Sequence, residues 1–105
     1  MLYSERVPAM WKDLLPLGER GSENGIVLLD EEYKESCRIT LEKCPRYFAI
    51  TCGVYGAMFH TVFPGENSYL ETYNAMKRDL AEFIDRDTTA AEEGEFYEYF
   101  TNKYR

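Results

Sequence analysis

From Ile26 to Phe63 the chain never leaves more than a few residues between apolar segments, and that spacing decides most of what it can fold into. Four candidate strands follow one another: 26–33, 37–42, 46–52 and 57–63. They are separated by Lys34-Glu35, by Cys44-Pro45 and by Gly53-Val54-Tyr55-Gly56. A parallel pair needs a crossover of about a dozen residues or more, so these segments pair as an antiparallel meander in chain order. In the second segment Cys37, Ile39 and Leu41 alternate with Arg38, Thr40 and Glu42, the period of a half-exposed strand. The third and fourth are apolar on both parities, as strands covered on both faces would be.

The turns set an expected register. A tight connection at Cys44-Pro45 pairs Lys43 with Arg46, and therefore Ile39 with Ile50 and Cys37 with Cys52. A turn over Gly53–Gly56 pairs Cys52 with Ala57, Ile50 with Phe59 and Ala49 with His60. Cys52 then shares a face with Phe59, while His60 lies on the other side of the sheet. The first hairpin resists this treatment. One parity buries Leu28 together with Asp30, and the other buries Val27 and Leu29 together with Glu31, a conflict that a β-bulge resolves.

Around this sheet the sequence predicts helices. Pro8 suits a first helical turn, and Trp11, Leu14 and Leu15 share a face before Pro16 and Gly18 end it. The polar stretch 18–25, GERGSENG, reads as a mobile connector. After Pro64-Gly65, Ser68 and Glu71 have capping-box spacing, and Tyr69, Tyr73, Met76, Leu80, Phe83 and Ile84 form one apolar stripe. Thr89 and Glu92 repeat the start signal. A second helix follows, with Phe96, Tyr99, Phe100 and Tyr104 on its core face and Tyr97 off it. The expectation is a single α+β domain over 1–105. It comprises a short N-terminal helix with its connector (1–25), a four-stranded antiparallel meander (26–63) and two C-terminal helices on one sheet face (68–105).

Charge narrows the functions. Twelve Lys and Arg stand against nineteen Asp and Glu, a net −7, which works against binding a phosphate backbone, so no nucleic acid is expected as partner. The apolar run 47–63 falls short of the ~20 residues of a membrane helix. The first seventeen residues, broken by Glu5, Arg6, Lys12 and Asp13, do not resemble a signal peptide. With three cysteines, an odd count, the chain is expected to be cytoplasmic with reduced thiols. The excess of acid is local. Asp79 to Glu98 holds eight acids against Arg86 alone, and the rest of the chain balances at eleven of each sign.

Motifs for chemistry are weak. Cys52 and His60, on opposite faces in the expected register, make no nucleophile–base pair. Cys37, Cys44, Cys52 and His60 lack the close spacing of zinc ligands, and Asp85–Thr89 departs from a calcium loop at the glycine and the terminal glutamate. Phosphate-binding and hydrolase signatures are absent, so neither metal nor cofactor is expected and no catalytic residue is assigned. The reading is a non-catalytic interaction module, or a homodimer, whose acidic segment meets a basic partner through Asp85, Asp87, Glu92, Glu93 and Tyr97. In size and charge, though not in any motif, the chain is similar to bacterial immunity proteins, which neutralise basic nuclease toxins. The alternative is a small-molecule binder or minor enzyme with a pocket between sheet and helices near Cys52, Tyr55 and His60.

Overall fold

A computed structural model describes residues 11–14 and 16–105. The architecture is α+β, an antiparallel sheet followed by two helices. Among the described residues the sheet has five strands, β1 (Lys12–Asp13), β2 (Ile26–Tyr33), β3 (Cys37–Lys43), β4 (Phe48–Val54) and β5 (Met58–Val62), in the order β1-β2-β3-β4-β5. The fifth strand is a correction at the N-terminal end. Of the expected short helix, residues 1–10 and 15 lie outside the described residues. Within them, Lys12 pairs with Glu32 and Asp13 with Glu31, and the Leu14 amide donates to the Asp30 carbonyl at 2.9 Å. Local apolar spacing favoured a helix, but an otherwise open strand edge offers backbone partners that an isolated helical turn cannot match. The Trp11 ring packs 5.0 Å from that of Tyr33, which anchors the edge.

Helices α1 (Tyr69–Asp85) and α2 (Ala90–Lys103) divide at the expected place. Thr89 and Glu92 form the complete capping box, while Ser68 caps α1 by position alone, its hydroxyl reaching back to the Gly65 carbonyl at 3.5 Å. Both helices lie on one sheet face. Tyr73, Met76, Leu80 and Phe83 of α1 and Phe96 and Phe100 of α2 bury against Ile39, Leu41, Ile50 and Cys52. Tyr104 closes the cluster. Tyr97 belongs to it too, with its ring 5.5 Å from that of Phe83, and Tyr99 is the exposed member of the helix. The i, i+4 row Phe96–Phe100–Tyr104 sets the centre of the stripe and turns position 99 outward.

The registers differ from those expected. Lys43 pairs with Phe48, Leu41 with Ile50 and Ile39 with Cys52, so Cys37 faces Val54 and the two thiols are diagonal neighbours. The cause is Pro45. It takes the second position of a turn running from Cys44 to Tyr47 and closed by the Cys44 amide to the Tyr47 carbonyl (2.8 Å), which moves the hairpin by two residues and preserves its faces. Between β4 and β5 the shift is three, an odd number, so β5 turns over. Gly56 (φ 76°) alone takes the left-handed position, whereas Gly53 stays within β4, where a Cβ would come 2.9 Å from the Met58 carbonyl oxygen. Met58, His60 and Val62 therefore face the helices, and Phe59 faces outward.

A bulge between Val27 and Leu29 resolves the conflict in β2. Both acids are internal, one on each face. Glu31 faces the helices and accepts from Tyr73 Oη and Lys77 Nζ, each at 2.8 Å. Asp30 faces outward and accepts from Arg38 Nε (2.9 Å) and Nη2 (2.7 Å) and from Thr40 (2.8 Å). Glu42, expected at the exposed positions of β3, is fully buried. The segment 18–25 folds over it as a clamp, in which the amides of Glu23 (3.1 Å) and Gly25 (2.8 Å) donate to its carboxylate. Gly21 lies so close that a Cβ there would stand 2.3 Å from Glu42 Oε1.

Candidate functional site

The acidic segment becomes an open groove of about 840 Å³ between the C-terminal end of α1 and the N-terminal half of α2. Its acids are Asp79, Glu82, Asp85, Asp87, Glu92 and Glu95, the cation lining it among the described residues is Arg86, and Phe96 and Tyr99 supply aromatic wall. The break at 86–89 makes the concavity. It reverses the chain, so that two helix faces rich in carboxylate meet across a gap.

Three of these acids already serve the fold. Asp85 accepts from Lys34 Nζ (2.6 Å) and Tyr33 Oη (2.7 Å), and these bonds, that of Lys34 foremost, hold its carboxyl below the usual aspartate range. Asp79 accepts from Lys103 Nζ (2.8 Å) and Tyr104 Oη (2.6 Å). Glu92 closes the capping box on the Thr89 amide, which lowers its carboxyl below the ordinary value. Glu82, Asp87 and Glu95 have no ion-pair partner among the described residues and are exposed. The field of the groove therefore comes mainly from these three and from Glu92, whose amide partner is neutral, since Lys34 and Lys103 offset Asp85 and Asp79.

Of the residues predicted for a partner, the structure brings Asp85, Asp87 and Glu92 to this groove. Glu93 and Tyr97 sit on the opposite side of α2, by Ser36 and Val54. Glu82, Glu95 and Tyr99 were missed, although Glu82 and Glu95 lay within the acidic stretch. Which face of α2 turns inward was the missing fact, and the exposure of Tyr99 follows from it.

Of the residues named for the alternative pocket, two come together and the third, Tyr55, lies apart on the β4–β5 turn. Cys52 and His60 stand directly opposite each other on the helix-covered face, contrary to the expected opposite faces. The His60 ring is nonetheless committed elsewhere, with Nε2 against the Tyr104 carbonyl oxygen and the imidazole edge-on to Phe100. Burial pushes the Cys52 thiol up to about 12, so it stays protonated at neutral pH and is a poor nucleophile. Tyr55 is exposed on the β4–β5 turn and donates to Glu32 at 2.5 Å. Buried side chains fill the centre of the space between sheet and helices, and a concavity of about 410 Å³ remains at its edge, between Val54, Tyr55 and Ala57 on one side and Phe83, Ile84 and Tyr97 on the other.

A second concavity lies on the other sheet face, an apolar groove of about 630 Å³. Gly53, Tyr55, Gly56 and Phe59 line one side, Arg38, Thr40 and Thr51 the floor, and Arg20 the clamp side. The Arg38 fork is engaged by Asp30, and Arg20 Nη1 donates to the Asn24 carbonyl at 2.9 Å.

Among the described residues no group of three His, Cys, Asp or Glu is placed to hold a metal ion, and no helix is long and apolar enough to cross a membrane. All three cysteines are buried and free. No family model matches the chain, and neither a curated protein nor a solved structure shows significant similarity to it.

Proposed function

We propose that the protein is a non-catalytic interaction module that receives a basic segment of another protein in the groove between α1 and α2. The observation that carries this is the convergence of carboxylates from two helices on one open concavity beside an exposed tyrosine. Glu82, Asp87 and Glu95 accept from the Lys or Arg side chains of the partner, and Tyr99, whose ring already carries Lys103 Nζ 5.5 Å from its centre, adds aromatic wall beside them. A patch of one sign speeds encounter more than it deepens affinity.

The test uses the chain as bait in lysate of its host, beside a variant carrying Glu82→Lys, Asp87→Lys and Glu95→Lys. A partner held by this groove is lost with the variant, and its association rate with the unaltered chain falls steeply from low to physiological salt. A partner that both baits retain, or a rate indifferent to salt, overturns the reading. Asp85 and Glu92 are left in place because they hold the helix ends.

The outer groove favours a second reading, a site for a small ligand with an apolar body. It predicts that such a ligand raises the thermal midpoint of the chain and that Phe59→Ser cancels the rise.

A further inference from the structure

The two edges of the sheet are built differently. β1 is two residues long and both are charged, the pattern that discourages another strand from adding to an edge. β5 is five residues long, MFHTV, with no acid, lysine or arginine. Half of its backbone N–H and C=O groups point away from β4, as in any antiparallel edge strand. On the outward face Phe59 is 74% exposed and Phe63, just past the strand, is 56% exposed. Tyr47, whose ring packs edge-on to Phe63 at 5.4 Å, is 44% exposed.

We propose that β5 is the contact of a reversible homodimer, in which a second copy adds its own β5 antiparallel to the first about a two-fold axis at Thr61. The spacing of the strand is what points to a second copy. Phe59 and Phe63 stand two residues either side of Thr61 on the same face. A two-fold there sets Phe59 against Phe63 of the partner subunit, and the reverse, so each copy supplies both halves of two cross-strand aromatic pairs. No charge on β5 opposes its own image, and the acid excess of the chain lies in the helical segment from Asp79 to Glu98.

The size of the patch fits a weak dimer. At roughly 150–250 Å² per fully buried ring, the exposed parts of Phe59, Phe63 and Tyr47 from two copies remove about 500–900 Å² from water. The strand backbone and flanking atoms bring the contact to the low end of specific interfaces, near ~1,000–1,200 Å². The contact does not depend on the acidic groove.

Sedimentation of the full chain over a micromolar-to-millimolar series tests this. The expected result is a monomer–dimer equilibrium. Phe59→Lys and Phe63→Lys change side chains that already face water, and each should raise the dissociation constant about tenfold or more. Leu70→Lys, an exposed apolar site on α1, should leave it unchanged. Under mild oxidation Thr61→Cys should cross-link two chains, which the buried native thiols do not. A chain that stays monomeric throughout overturns the proposal. So does a dimer indifferent to both lysine variants, or one that Thr61→Cys fails to cross-link.

Discussion

The two faces of the sheet exclude water by different means. The helix-covered face is filled by shape. Ile39, Leu41 and Ile50 meet Tyr73, Met76, Leu80 and Phe100, all at 1% exposure or less, and the carboxylate of Glu31 reaches donors near the edge of the cluster. The outer face carries Asp30 and Glu42, each held by donors that other segments bring to it. Apolar packing is non-directional and degrades in proportion to lost volume. A buried carboxylate in a clamp is directional, so losing it strands particular amides whatever replaces it.

That contrast is open to measurement. The largest effect is expected on the packed face, where Phe100→Ala should cost about 3–5 kcal/mol in denaturant unfolding and Phe100→Leu clearly less. On the outer face Glu42→Ala should cost about 1–3 kcal/mol by orphaning the Glu23 and Gly25 amides, and Glu42→Leu about as much, since volume does not repair a missing acceptor. If Glu42→Leu restores stability, the clamp is ordinary packing and the contrast fails.

A coupled pair sharpens it further. Gly21→Ala forces a Cβ onto the Glu42 carboxylate and should cost about 1–3 kcal/mol alone. In a Glu42→Ala background that cost should largely vanish, and simple additivity of the two would separate the clamp from the acid.

Smaller effects belong to the β2–β3 turn, where sheet and helices are tied. Lys34 (φ 52°) and Glu35 (φ 54°) both occupy the left-handed region, which disfavours side chains with a Cβ. Glu35→Gly should therefore stabilise by roughly 0.5–1 kcal/mol, seen as a raised thermal midpoint. Lys34 is kept by its bond to Asp85, an exposed pair worth a few tenths of a kcal/mol and screened by salt. The carboxyl of Asp85 is lowered in the fold. Its contribution is thus present above the ordinary aspartate value of 3.8 and is lost as pH falls through the folded value. Asp85→Asn should flatten that acid limb of the stability curve, and an unchanged limb would remove Asp85 from it.

Much of this was legible in the residues. Strand β2 falls where its composition put it, the Thr89 capping box forms, and the acidic stretch from Asp79 to Glu98 forecast an acidic surface. Its division was not legible, because Asp85 is paired with Lys34 and Glu92 is turned onto the Thr89 amide, and only the packing of α2 decides that Tyr99 rather than Tyr97 meets water. The clamp was the larger omission. GERGSENG carries the composition of a loose connector, and nothing local marks Gly21 and Gly25 as seats for a carboxylate seventeen or more residues away.

What the sequence by itself determined is therefore what depends on neighbours along the chain: short connections that force antiparallel pairing, periods that make strands and helices, and a break near residue 87. Tertiary structure decided the rest through a small count. Pro45 moved one hairpin by two residues and kept its faces, whereas Gly56 moved the next by three and turned β5 over, carrying His60 inward and Phe59 outward. Side chains alternate with a period of two, so an odd slip in one turn reassigns a whole strand, and apolar residues on both parities of β5 left its own composition unable to object.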